Sequence, residues 1–157
     1  MALMTLRVNG EARDVSVQPH HSLLRVLREE LGLLGSKRGC DTGGCGCCSV
    51  LVDDKVVYSC MVLAMSCVKK KITTVEGLQV NGALDPLQEA FVRAGAIQCG
   101  YCIPGFIMAS KDLMRRRRSP SEKEIAQSIA GNLCRCTGYQ KIIEAIEMAV
   151  SNSNGAG

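Results

Sequence analysis

Ten consecutive residues of this chain read Gly39-Cys40-Asp41-Thr42-Gly43-Gly44-Cys45-Gly46-Cys47-Cys48. Four of them are cysteines and four are glycines. A loop this short can turn several thiols toward one point only if its backbone adopts conformations that glycine reaches easily. The composition of the loop therefore indicates a metal centre held by thiolates.

The spacing of these cysteines narrows the kind of metal centre. Cys40, Cys45 and Cys48 form a C-x4-C-x2-C pattern, which is the spacing of a plant-type [2Fe-2S] loop. A structural zinc site usually combines two C-x2-4-C pairs across a longer gap, so the pattern favours iron-sulfur over zinc. Two adjacent side chains do not easily point into the same loop. Cys48 is therefore the predicted ligand, and Cys47 is the alternative.

A second set of cysteines lies further along the chain. Cys99 and Cys102 form a C-x2-C pair, and Cys134 and Cys136 form a C-x-C pair. Either pair alone is a weak signal, because C-x2-C also occurs in zinc sites and redox-active dithiols. Each pair precedes a predicted helix, whose N-terminal dipole favours thiolates. Two such helix starts facing each other could hold one four-thiolate cluster. Cys67, in an apolar stretch, is predicted to be a small buried hydrophobic residue.

The N-terminal part has the pattern of an α+β unit. Alternating apolar residues predict a hairpin over residues 4–17, turned by Asn9-Gly10. Ser22 is a suitable cap for a helix that stops at Gly32. Further short strands are predicted over residues 49–52, 55–58 and 71–75. This order predicts a β-grasp, or ferredoxin-like, domain over residues 1–77. The adjacent His20 and His21 are predicted to be exposed turn residues.

The hydrophobic periodicity becomes helical after residue 77. Helices are predicted over residues 87–94, 105–116, 122–129 and 139–150. The fold class is thus α+β, with a four-helix, cluster-binding domain over residues 78–157 following the β-grasp domain.

Composition limits the class of protein. The chain has 157 residues, of which 46% are hydrophobic, and no apolar run approaches the ~18 residues of a membrane-spanning helix. The first residues lack the charged and apolar regions of a secretory signal, so we expect a cytoplasmic protein. Structural disulfides are rare in that compartment. The clustered cysteines are therefore expected to bind metal rather than to form disulfides.

The net charge of +4 is small, although part of it is concentrated in residues 115–118, which are all arginine. Such a run could contact nucleic acid or an acidic partner. We favour a solvated helix end, where cations face the negative end of the helix dipole. Aromatic residues that would stack on bases are absent nearby.

Three motifs together resemble the small iron-sulfur subunit of the xanthine oxidase family of molybdenum hydroxylases, a family that includes carbon monoxide dehydrogenases, aldehyde oxidoreductases and 4-hydroxybenzoyl-CoA reductases. The motifs lie at residues 39–48, 98–105 (Gln-Cys-Gly-Tyr-Cys-Ile-Pro-Gly) and 131–139 (Gly-Asn-Leu-Cys-Arg-Cys-Thr-Gly-Tyr). The resemblance implies two [2Fe-2S] clusters. Their implied ligands are Cys40, Cys45, Cys48 and Cys60 for the first cluster, and Cys99, Cys102, Cys134 and Cys136 for the second.

The resemblance also implies partners. In that family a large subunit holds the molybdenum-pterin cofactor (molybdopterin), a medium subunit usually holds FAD, and the small subunit relays electrons within a heterotrimer that could dimerise. By resemblance, Gln98 and Cys136 approach the pterin ring, and the small subunit has no catalytic residues of its own. The chain departs from the family pattern at Cys47, which is usually a small residue such as alanine, and at Ile103, which is usually threonine.

Two other functions are compatible with parts of the pattern. One is a stand-alone two-cluster ferredoxin that serves several partners. The other is a zinc-stabilised nucleic-acid-binding module that uses the arginine run. Ferredoxins keep an acidic docking face, whereas the mild positive charge of this chain favours burial in a complex.

Overall fold

A mixed five-stranded sheet with the strand order β2-β1-β5-β3-β4 builds the N-terminal part of the protein. The computed structural model describes residues 2–155. Strand β1 pairs in parallel with β5, and the other neighbouring strands are antiparallel. The strands are β1 (Ala2–Val8), β2 (Glu11–Val17), β3 (Ser49–Val52), β4 (Lys55–Tyr58) and β5 (Lys71–Thr73).

The predicted hairpin is part of the sheet, which forms one layer, and the predicted helix packs on the sheet as the second layer. Asn9 and Gly10 both have positive φ angles, 52° and 86°, as a tight turn matched to the twist of two strands requires. The helix α1 (Leu23–Arg25) continues into one wide turn, Val26–Glu30, and Ser22 caps its start. Apolar side chains of β1, β2, β3 and β5 pack against this helix in a shared core. The predicted ferredoxin-like α+β fold is confirmed.

Two side chains of this core show where the sequence prediction was right and where it was wrong. Cys67 is fully buried, as predicted. His21 was predicted to be exposed, but only 5% of its surface is accessible. Its Nδ1 accepts a hydrogen bond of 3.4 Å from the N–H of Gln18, and its carbonyl accepts one of 3.0 Å from Ala64. These bonds give Nδ1 and the carbonyl oxygen of His21 hydrogen-bond partners, which makes its burial less costly.

Four helices form the C-terminal part. Asp85 and Ser121 each complete a capping box at a helix start. The helices are α2 (Pro86–Arg93), α3 (Ile103–Arg116), α4 (Glu122–Ser128) and α5 (Gln140–Gly155). Helix α3 is buried along most of its length and packs on β3 as well as on α2, α4 and α5. It therefore connects the helical part to the sheet.

The arginine run lies at the exposed C-terminal end of α3. Arg116 pairs with Asp112 at 3.0 Å, and Arg117 lies 3.6 Å from Glu124 of α4. These ion pairs are compatible with the solvated helix end that the sequence suggests. Within residues 2–155, no helix is long and apolar enough to cross a membrane.

Candidate iron-sulfur centres

The first candidate site combines the cysteine loop with a turn that follows β4. Cys60 lies in the short helical turn Ser59–Met61. The thiol of Cys40 interacts with that of Cys45, and the thiol of Cys60 interacts with that of Cys48. The sequence-predicted residues of this site are thus brought together as two pairs of thiols, and all of them are free.

The backbone of the loop is arranged to favour a thiolate at Cys40. Gly43 and Gly46 have φ angles of 75° and 72°, in the left-handed region that glycine reaches without strain. The N–H of Thr42 donates to Sγ of Cys40 at 3.4 Å. This hydrogen bond is the main reason why the pKa of Cys40 falls to about 6. Burial acts in the opposite sense on Cys60 and raises its pKa to about 11.

Cys47 is buried, like its neighbour Cys48, and its thiol interacts with that of Cys45. Only 5% of its surface is accessible, and it packs in the hydrophobic core of the helical part. Its Sγ lies 3.9 Å from the carbonyl oxygen of Cys45. Burial raises the pKa of the Cys47 thiol to about 12, so the neutral form is strongly favoured. Cys102, which is a proposed ligand, is equally buried and has the same raised pKa, so Cys48 is preferred over Cys47 on the C-x4-C-x2-C spacing.

The second candidate site lies at the start of α3 and in the loop before α5. Cys102 occupies the cap position of α3, and its thiol interacts with that of Cys134. Sγ of Cys99 and Sγ of Cys136 are 3.5 Å apart. The four cysteines that the sequence assigns to this site are again arranged as two pairs. Cys99 and Cys136 are exposed, whereas Cys102 is buried.

Neighbouring groups shift the thiol pKa values of Cys102 and Cys134, the less exposed pair of this site, in opposite directions. Burial raises the pKa of Cys102 to about 12. Burial would also raise the pKa of Cys134, but hydrogen bonds from Thr137 outweigh it and lower that pKa. The Thr137 hydroxyl lies 3.1 Å from Sγ of Cys134, and the Thr137 N–H lies 3.4 Å from it. Hydrogen-bond donors of this kind stabilise a thiolate and adjust the potential of a bound cluster.

The paired arrangement is the geometry that a binuclear cluster needs. Two thiolates on one tetrahedral ion lie about 3.8 Å apart, since metal–sulfur bonds are about 2.3 Å long. The Cys99–Cys136 pair is close to that separation. Within the described part of the chain, no group of three or more histidine, cysteine or acidic side chains converges on a single ion position. In a [2Fe-2S] cluster each iron takes one pair of thiolates, so the Cys99–Cys136 pair suits one iron of such a cluster.

The other residues singled out from the sequence lie beside the second site. Gln98 is exposed and immediately precedes the exposed Cys99. Ile103 is buried at the first position of α3, where the cap residue Cys102 makes no side-chain capping bond. The pterin contact of Gln98 and Cys136 stays a prediction.

Three contributors to the sites were missed in the sequence analysis, although all lie in the motif at residues 131–139. Thr137 donates to Cys134, and the hydroxyl of Tyr139 accepts a 3.0 Å hydrogen bond from the N–H of Cys134. Asn132 is buried and donates to the carbonyl of Gly46. The available signal was the clustering of polar side chains around the cysteine pair.

Comparison with known proteins assigns a [2Fe-2S]-binding domain to each half of the chain. Residues 6–75 match the 2Fe-2S iron-sulfur cluster binding domain, and residues 74–147 match the [2Fe-2S] binding domain. The nicotinate dehydrogenase small FeS subunit of Eubacterium barkeri is 44% identical over 147 residues, which cover 94% of each chain. The xanthine dehydrogenase iron-sulfur-binding subunit of Escherichia coli is 43% identical over 144 residues, which cover 88% of each chain. The chain belongs to the small iron-sulfur subunits of the xanthine oxidase family.

Solved structures agree with this membership. A chain of quinoline 2-oxidoreductase from Pseudomonas putida 86 superposes on this small iron-sulfur subunit with a TM-score of 0.94 and 39% identity, covering 99% of this subunit and 97% of that chain. The resemblance inferred from the three motifs is confirmed. The subunit carries two [2Fe-2S]-binding domains, and the relatives named above are subunits of dehydrogenases.

Proposed function

We propose that this subunit carries single electrons between a molybdenum-pterin site on a large subunit and FAD on a medium subunit. The observation that carries the proposal is that one chain presents two sets of paired thiols whose loops are in direct hydrogen-bond contact. When bound, a [2Fe-2S] cluster accepts and releases one electron at a time. The proposed ligands are Cys40, Cys45, Cys48 and Cys60 for the first cluster, and Cys99, Cys102, Cys134 and Cys136 for the second.

The exposure of the second site supports its role as the contact with the large subunit. Cys99 and Cys136 are both exposed, and so is Gln98. The apolar side chains of Ile97 and Leu133 are 42% and 56% exposed beside them. Exposed apolar side chains around a pair of exposed thiols favour burial of this surface against a partner. We therefore place Gln98 and Cys136 next to the pterin ring in a heterotrimer.

The rest of the chain is suited to relay rather than to substrate chemistry. No catalytic residue is assigned to this subunit, and the substrate is selected by the large subunit in this proposal. A cytoplasmic location belongs to the proposal as well, because ten free cysteines suit a reducing compartment. The domain boundary near residue 77 remains a prediction.

Metal analysis of natively purified protein tests the cluster content. We expect about four iron atoms and about four acid-labile sulfides per chain, as two [2Fe-2S] clusters require, and no stoichiometric zinc. The Cys67→Ala variant is the control, because this buried thiol lies in the sheet core and should leave the iron content unchanged. About two zinc ions per chain without sulfide would contradict the proposal and favour the zinc-stabilised alternative.

A second test concerns the predicted contact of Gln98. In the purified complex, Gln98→Ala should lower the molybdenum content while the iron content stays at the wild-type value, because Gln98 is exposed and is not a thiol ligand. The exposed Gln127 of α4 provides the matched control as Gln127→Ala. Unchanged molybdenum content and turnover in Gln98→Ala would contradict the pterin contact.

A further inference from the structure

The two cysteine loops touch each other through their backbones. The N–H of Leu133 donates a 2.9 Å hydrogen bond to the carbonyl of Cys45. Cys45 belongs to the first thiol set, and Leu133 immediately precedes Cys134 of the second. This hydrogen bond therefore joins the backbone of Cys45, a proposed ligand of the first cluster, to the residue just before Cys134, a proposed ligand of the second.

Asn132 holds this contact from inside the protein. Only 3% of its surface is accessible, and its Nδ2 donates a 3.0 Å hydrogen bond to the carbonyl of Gly46, the residue after Cys45. The two residues are 86 positions apart in the sequence. Asn132 thus fixes the loop of the second site against the loop of the first through a buried side chain.

The two loops are closely packed at this contact. A Cβ atom added at Gly46 would lie 2.6 Å from the carbonyl oxygen of Gly131 and 2.7 Å from Cγ of Asn132. A Cβ atom added at Gly105, in the first turn of α3, would lie 3.0 Å from Nδ2 of Asn132. Backbone from three segments therefore meets around the Asn132 side chain.

The carbonyl of Gly46 does not depend on Asn132 for hydrogen bonding. It also accepts from the N–H of Ser49 at 3.1 Å and from the Ser49 hydroxyl at 2.7 Å. Removing the Asn132 amide therefore leaves no unsatisfied buried carbonyl, and the local fold is expected to survive. What is lost is the side-chain link between the two loops, while the backbone hydrogen bond from Leu133 to Cys45 remains.

We propose that Asn132 is a positioning residue that sets the distance between the two clusters and so their electronic coupling. The proposal rests on the electron-relay function proposed above. Electron tunnelling and the magnetic interaction of two reduced clusters both weaken steeply with distance. A residue that fixes the two loops against each other therefore controls both properties without touching iron.

The experiment uses the holoprotein reduced with dithionite and examined by low-temperature EPR, together with iron and sulfide analysis. In the wild-type protein we expect two [2Fe-2S] signals with mutual spin–spin splitting. Asn132→Ala should keep both signals and the full iron content but show a smaller splitting, because one of the two links between the loops is removed. Rapid-mixing reduction should show slower electron equilibration between the clusters. Tyr58→Phe is the matched control, because it removes a 3.2 Å hydrogen bond to the same segment, at Gly131, from a more exposed position.

Each outcome separates the positioning role from the relay function. Two normal signals with unchanged splitting and unchanged equilibration in Asn132→Ala would overturn the positioning role and leave the relay proposal intact. A wild-type protein without clusters would overturn the relay proposal itself. If Asn132→Ala loses iron, Asn132→Leu, which keeps the approximate side-chain size and removes the donor without burying a charge, takes its place. Iron loss in both variants would assign Asn132 to cluster assembly and overturn the positioning role.

Discussion

Cys48→Ser is expected to abolish one of the two [2Fe-2S] EPR signals and to remove about half of the iron. Cys48 is buried, and its thiol interacts with that of Cys60, so it supplies one member of a proposed iron-binding pair. Serine has nearly the same size as cysteine but lacks the soft thiolate that binds iron in such clusters. The measurement is EPR of the reduced protein together with iron content.

Cys47→Ala is the matched control for this experiment, since it changes the adjacent residue of the same loop. Cys47 packs in the helical core and lies outside the C-x4-C-x2-C spacing of the proposed ligands. We expect Cys47→Ala to keep both EPR signals. If Cys47→Ala lost a signal while Cys48→Ser kept both, the ligand of the first cluster would have to be reassigned to Cys47.

Gly46→Ala is expected to lower the free energy of unfolding by about 2 to 5 kcal/mol. Gly46 has a φ angle of 72°, a conformation that costs other residues about 1 to 2 kcal/mol. The added methyl group would also press against Gly131 and Asn132, and such overpacking typically costs about 1 to 3 kcal/mol. Thermal unfolding of the holoprotein should show this as a lower Tm, by about 2 to 4 °C per kcal/mol for a chain of this size.

Gly82→Ala isolates the packing part of that effect. Gly82 has a similar φ angle of 80°, but nothing lies within 4 Å of an added Cβ atom there. It should therefore suffer only the conformational cost. Equal loss of stability in the two variants would show that the methyl group added at Gly46 meets no steric cost from Gly131 and Asn132.

Local patterns explain why much of the sheet was predictable. The alternation around Asn9-Gly10 specifies a hairpin, and residues 49–52 and 55–58 were predicted as the strands β3 and β4 that the structure contains. The parallel pairing of β1 with β5 has no local signal, because the residues that pair, such as Arg7 and Lys71, are far apart in the sequence. His21 was mispredicted for a similar reason, since part of what buries it comes from Ala64.

The candidate sites, like the sheet, were predictable where the signal is local in the sequence. Cysteine spacing separates the two sets and favours Cys48 over Cys47. It does not reveal that Cys99 pairs with Cys136 rather than with the nearer Cys102, because that pairing depends on how two loops meet in space. The partner of the Asn132 side chain was equally hidden, since Gly46 lies in the other half of the chain.

Helix α3 has a consequence for how this protein can be divided. Its N-terminal cap residue is Cys102, and its buried side chains pack on β3 of the sheet as well as on the other helices. A cut near residue 77 would leave each half with an uncovered apolar face, even though each half matches its own cluster-binding domain. We therefore expect the whole chain, rather than either half alone, to be the unit that can be transplanted between redox assemblies.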